Sequence, residues 1–138
     1  MRKTSLFALT LALVLVVGAC GAKEQSMEDH SAQAVSAEYH KITPEEAKTM
    51  MEQEGIVILD VRTAEEFKAG HIENAVLIPD TELADRAAEE LPDLEQTILV
   101  YCRSGRRSAA SAKALVELGY TAVYDFGGIL DWPYDTVQ

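Results

Sequence analysis

From about residue 38 onward, short continuous apolar runs alternate with segments that open on helix-start signals. Tyr39 to Ile42 predicts a short edge strand. Thr43-Pro44-Glu45-Glu46 predicts a helix start, with Thr as N-cap, Pro in the first turn and Glu closing a capping box. That helix is expected to reach about Glu54, where Gly55 stops it. Ile56-Val57-Ile58-Leu59 ends in Asp60 and is apolar at every position, as a parallel strand covered on both faces must be. Thr63-Ala64-Glu65-Glu66 repeats the capping box and opens a short helix to about Lys68. Ala75 to Ile78 predicts a strand closed by Pro79, and Thr81 to Glu90 a helix. Thr97 to Tyr101 is another fully apolar strand in its centre, Ser108 to Leu118 an Ala-rich helix with Gly119 to cap it, and Ala122 to Tyr124 a last strand. Strands alternating with helices predict an α/β domain over 38–138, with a mainly parallel sheet and right-handed crossovers that put helices on both faces.

The first residues follow a different pattern. Arg2 and Lys3 precede an apolar run from Leu6 to Val17, broken only by Thr10, and Val17-Gly18-Ala19-Cys20 follows. The run is 12 residues long, whereas a helix that crosses a bilayer needs roughly 20. A signal-peptide core is therefore expected over 1–19 rather than a membrane span. Val17-Gly18-Ala19-Cys20 resembles a bacterial lipobox, and that resemblance implies a diacylglyceryl group on Cys20 and cleavage just before it. Residues 20–37 are small and polar without apolar period, and read as the lipidated cysteine and a flexible tether. Anchoring would place the domain outside the cytoplasm, on the cell membrane or the outer membrane.

The whole chain of 138 residues has a formal net charge of −11. Loss of residues 1–19, which carry Arg2 and Lys3 and no acid, takes it to −13. So acidic a chain repels nucleic acid and anionic lipid heads, so membrane attachment must come from acyl chains. A monomeric domain is expected. His30, His40 and His71 are scattered, and no Cys/His spacing suits a metal; no cofactor is called for.

Only two cysteines occur. If Cys20 is lipidated, Cys102 is the one free thiol, without a disulfide partner. It stands where the strand Thr97–Tyr101 runs into Cys102-Arg103-Ser104-Gly105-Arg106-Arg107, with a helix expected near Ser108. In a turn from a strand end to a helix start, successive backbone N–H groups point inward, and the helix adds a positive end. Gly105 permits backbone angles that other residues resist. These donors and three arginines within six positions are expected to lower the Cys102 pKa and enlarge its thiolate fraction. The same cradle suits a persulfide, which is also an anion.

Three sets of residues resemble the rhodanese family. Ile58-Leu59-Asp60-Val61-Arg62, Glu65-Glu66-Phe67, Gly70-His71-Ile72 and Asn74-Ala75 are similar to its first signature. Tyr101-Cys102-Arg103-Ser104-Gly105-Arg106-Arg107-Ser108 is similar to its active-site loop, and Gly127-Gly128-Ile129 with Trp132 to its closing signature. The resemblance covers about residues 38–138 and implies the three-layer rhodanese-like fold. It implies a sulfurtransferase in which Cys102 takes sulfane sulfur from a small anionic donor, thiosulfate or a polysulfide, and passes it to a thiol or to cyanide. Arg103, Ser104, Gly105, Arg106, Arg107 and Ser108 are the expected substrate loop, with Arg103 and Arg107 ahead of Arg106 as grips on the donor. By the same resemblance Asp60 and Arg62 support the loop. His71 tempts as a general base, but a thiolate needs none, so a structural part is expected. Trp132 is equally suited to wall the pocket or fill the core.

Two other readings compete with this one. Cysteine phosphatases carry Cys, five residues, then Arg; here Ser108 takes that place, Arg107 comes one position early and Tyr101 replaces the preceding His. A non-enzymatic persulfide carrier or binding module keeps the same cysteine, and steady-state turnover separates it from an enzyme.

Overall fold

The computed structural model describes residues 38–138. The expected signal segment 1–19, Cys20 and the rest of the tether 20–37 lie outside the described residues. The elements run β1 (His40–Lys41), α1 (Pro44–Met50), β2 (Val57–Asp60), α2 (Ala64–Ala69), β3 (Val76–Leu77), α3 (Leu83–Glu90), β4 (Ile98–Cys102), α4 (Arg106–Glu117) and β5 (Val123–Gly128), followed by a 3-10 turn, Ile129–Asp131.

The five strands form one sheet in the order β1-β5-β4-β2-β3, and every pairing is parallel. Alternate residues of the central strands feed two separate cores. Leu59, Ile98, Val100 and Cys102 pack with Leu83, Ala87, Ala112 and Leu115 from α3 and α4. Ile58, Leu99 and Tyr101 pack with Ala47 of α1, Phe126 and Trp132 on the other face. Helices therefore cover both faces, which is why β2 and β4 are apolar without a break.

Local signals set the boundaries. Both capping boxes form: Thr43 and Glu46 exchange bonds at the start of α1, and Thr63 and Glu66 at the start of α2. Helix α1 stops at Met50 instead of near Glu54. Beyond Met51 the residues are Glu52, Gln53 and Glu54, all exposed, so another helical turn has nothing to bury. Gly119 closes α4 in a left-handed conformation (φ +103), donating to Val116 O while Tyr120 N donates to Leu115 O. These are the two bonds of a Schellman end.

Tyr120 then ties the end of α4 to α3. Its hydroxyl lies 2.9 Å from Ala87 O and 2.7 Å from Leu91 O, the carbonyls at the end of α3. Tyr120→Phe leaves buried carbonyls short of a donor and should destabilise the domain by about 1–2 kcal/mol. Urea unfolding followed by circular dichroism measures the loss, with turnover of the folded protein unchanged.

Candidate active site

The parallel sheet delivers Cys102 to the site. It is the last residue of β4, one beyond the expected strand end, and pairs with Gly128 across an irregularity between Val100 and Cys102. The side chain sits on the α3/α4 face and the residue is 1% exposed. Only Arg103, Ser104 and Gly105 separate the strand from α4, which begins at Arg106 rather than near Ser108. Gly105 makes this sharp turn possible: it is the N-cap of α4, with φ +94.

The turn aims donors at the sulfur. Gly105 N–H lies 3.1 Å from Cys102 Sγ. Burial pushes the Cys102 thiol up, but this is outweighed by the backbone N–H and hydroxyl of Ser108 and the backbone N–H groups of Gly105 and Ser104, so the pKa falls below its ordinary value. Hydrogen bonds to the charged form are the leading cause. The arginines, expected to share this work, are not among the principal causes. Ser108 is fully buried, and its hydroxyl also lies within reach of Gly105 O (3.1 Å) and Gly127 O (3.2 Å).

The three arginines part company. Arg103 and Arg106 are exposed and make no ion pair among the described residues. Arg107, placed beside Arg103 by sequence, is half-buried and grips Glu66 of α2 with both terminal nitrogens, at 2.8 Å each. Arg107 holds the Glu66 carboxyl down to about 2, helped by the Thr63 N–H and opposed by burial.

Asp60 and Arg62 are buried and locked together. Arg62 Nε and Nη2 meet the carboxylate at 2.6–3.0 Å, and Nη2 also donates to Gly70 O at 2.8 Å. The Arg62 guanidinium stands 5.5 Å from the Tyr101 ring centre, and Tyr101 Oη accepts from Ile72 N. The hydrogen bonds of the pair thus brace the segment 70–72 and not the backbone of 103–108. His71 stacks on Phe67 (3.7 Å between centroids), its Nδ1 lies 3.0 Å from Phe67 O, and its backbone pairs with Val137. Trp132 packs against Phe126 and Tyr134 on the face away from Cys102, which resolves its two readings in favour of core.

Sequence reasoning missed three supports. One is Glu66 as the partner of Arg107. Another is buried Asp125, which accepts from Gly127 N at 3.0 Å and shapes the C-terminal end of β5. The third is the role of Gly128. A Cβ there would come within 2.6 Å of Arg103 C and Ser104 Cα, and closer still to Arg103 O. The Asp125-Phe126-Gly127-Gly128 run carried a signal, since Asp two residues before a Gly favours an Asx turn.

Fold and site together define a class: an α/β domain in which a strand-end cysteine opens a tight loop of inward N–H groups. The family model for the Rhodanese-like domain matches residues 43–133. The thiosulfate sulfurtransferase PspE of Escherichia coli (strain K12) is 40% identical over 73 residues, covering 53% of this chain and 70% of that one. The thiosulfate sulfurtransferase GlpE of Pseudomonas savastanoi pv. phaseolicola is 37% identical over 106 residues, 73% of this chain and 97% of its own. Among solved structures, a rhodanese-related protein from Thermoplasma volcanium superposes with a TM-score of 0.63 at 30% identity, covering 72% of this chain and 98% of that one. A rhodanese from E. coli solved with anions gives 0.57 at 36% identity, with 60% and 98% covered. The chain belongs to the rhodanese family, as a rhodanese-type sulfurtransferase.

The site's electrostatics have a pH signature. Thiolate reactivity rises with pH through the Cys102 pKa to a plateau. Ser108→Ala removes one lowering cause, so the midpoint should move to higher pH. Ultraviolet absorbance of the thiolate across a pH titration, with Cys102→Ser as blank, reads the shift directly.

Proposed function

We propose that Cys102 carries one sulfur atom as a persulfide between a small anionic donor, thiosulfate or a polysulfide, and a thiol or cyanide acceptor. The observation that carries this reading is the Cys102 sulfur at the head of its N–H-lined loop, with Gly105 N at 3.1 Å. The Cys102 thiolate attacks the outer sulfur of thiosulfate. The S–S bond of the donor breaks, and sulfite leaves with the electron pair. The persulfide left on Cys102 keeps one negative charge, which the N–H groups of Ser104, Gly105 and Ser108 are placed to stabilise without reorganisation. Cyanide or a thiolate then attacks the terminal sulfur, forms the product bond and returns the Cys102 thiolate. No general base is needed, consistent with His71 being fastened to Phe67. Exposed Arg103 and Arg106 are the guanidinium groups that meet the sulfonate end of the donor.

Cys102→Ser should abolish cyanide-dependent thiocyanate formation while the fold survives, because the hydroxyl is close in size and a poor sulfur nucleophile. Intact mass after incubation with thiosulfate should show one added sulfur on wild type and none on the variant. Comparable thiocyanate formation by the variant overturns the mechanism.

We also propose that the domain works outside the cytoplasm, held to a membrane through lipid on Cys20. The support is the short apolar run ending in Val17-Gly18-Ala19-Cys20. Cys20→Ala should leave the detergent phase in phase partitioning and lack the mature lipidated mass; unchanged partitioning and mass overturn the anchor.

A further inference from the structure

We infer that Glu66 is a specificity-determining residue of the sulfur-donor site, holding Arg107 in a closed ion pair so that only Arg103 and Arg106 present free positive charge to the donor. The inference rests on the persulfide reading above and concerns which donors the site favours.

The geometry is specific. Glu66 Oε1 and Oε2 take both terminal nitrogens of Arg107 at 2.8 Å, and Oε2 also takes the N–H of Thr63 at 3.0 Å. One carboxylate therefore caps α2 and pins it to the first turn of α4, 41 positions away in sequence. The pair is largely shielded, with side-chain exposures of 19% and 25%. Neighbouring Arg107 lies within electrostatic reach of Cys102 and of Asp80. Its charge is thus close enough to act on the reacting sulfur, but it is matched by a carboxylate that stays ionised wherever a thiolate exists. A bidentate guanidinium–carboxylate contact has two parallel bonds to break before either terminal nitrogen can turn to a substrate. The loop therefore carries three arginines in sequence but two unmatched charges in space.

A dianion such as thiosulfate feels this masking strongly, and a neutral organic trisulfide hardly at all. Glu66→Gln is a discriminating variant. Gln retains an oxygen to accept from Thr63 N–H and is at home in the last place of a capping box, yet it removes the charge. In the full chain, kcat/KM for thiosulfate should rise about fivefold at low ionic strength, the size expected for removing one unit charge roughly 8 Å from a dianion in water. The change should lie in KM, should shrink with added salt, and should be absent for the trisulfide. Arg107→Gln, which strands the carboxylate, should shift thiosulfate use by a similar factor in the opposite direction. The double variant, a charge-neutral deletion, should return the thiosulfate-to-trisulfide ratio to that of wild type.

If Glu66 only holds loop shape, both single variants lose activity with both donors and the double variant is worse than either; that outcome overturns the inference while sulfur transfer through Cys102 stands. If wild type gains no sulfur on Cys102 from either donor by intact mass, the persulfide reading itself fails. A thiosulfate KM unmoved by Glu66→Gln in an otherwise active enzyme also overturns the inference.

Discussion

A thiolate on a residue that is 1% exposed has to find its solvation inside the protein, and the rest of the site is arranged to supply it. Little water surrounds Cys102, so backbone N–H groups and one serine hydroxyl take its place. That requirement fixes the loop's shape. The chain must reverse within three residues, so Gly105 takes a left-handed conformation. The outer wall of the loop then lies against the end of β5 so closely that position 128 has room for a hydrogen and nothing larger. Leu130 N donates to Arg103 O and Asp125 accepts from Gly127 N, so the supporting strand end is itself held. Sequence positions 20 or more apart are thus bound by one electrostatic need.

The sheet divides labour between its faces. Cys102 points to the α3/α4 side, while the preceding Tyr101 points to the other. There, Asp60, Arg62 and Tyr101 form a buried polar group that reaches the backbone of Gly70 and Ile72. Burying an ion pair is costly unless its bonds are nearly all made; Arg62 meets both oxygens of Asp60 and a carbonyl besides. Burial and hydrogen bonding to Asp60 push the Tyr101 hydroxyl pKa up, so it remains a neutral member of the group. The Cys102 sulfur and the bracing charges sit on adjacent strands but opposite faces, so they share the rigidity of the sheet without sharing a pocket.

Two scales of electrostatics act on the site. Directed N–H dipoles at contact distance dominate the thiolate itself, because their effect is not diluted by solvent. Exposed guanidinium groups act over longer distances and through water, so their influence falls on the approach and orientation of an anion and is screened by salt. In a chain of net charge −11, even two unmatched arginines at the mouth of a loop form a local exception to a repulsive surface.

The sequence by itself determined the order of elements, the parallel character of the central strands, both capping boxes and the place of Cys102 where a strand meets a helix-opening loop. Each rests on residues close together in the chain: Ile98 to Tyr101 is apolar throughout because both faces are covered, and Thr63 finds Glu66 three positions on because a helix puts them in contact. The true start of α4, the reach of β5 to Gly128, the face occupied by Trp132 and the partner of Arg107 were decided only by the tertiary structure. Nothing local in Arg103, Arg106 and Arg107 distinguishes a free guanidinium from a paired one, since Glu66 arrives from another helix. Gly128 likewise reads as a flexible turn residue until β5 is laid beside β4 and its missing side chain becomes the space in which Arg103 and Ser104 pass. Short-range pattern records what a residue's neighbours in the chain require; charge pairing and backbone clearance depend on distances that only the packed sheet and its helices set.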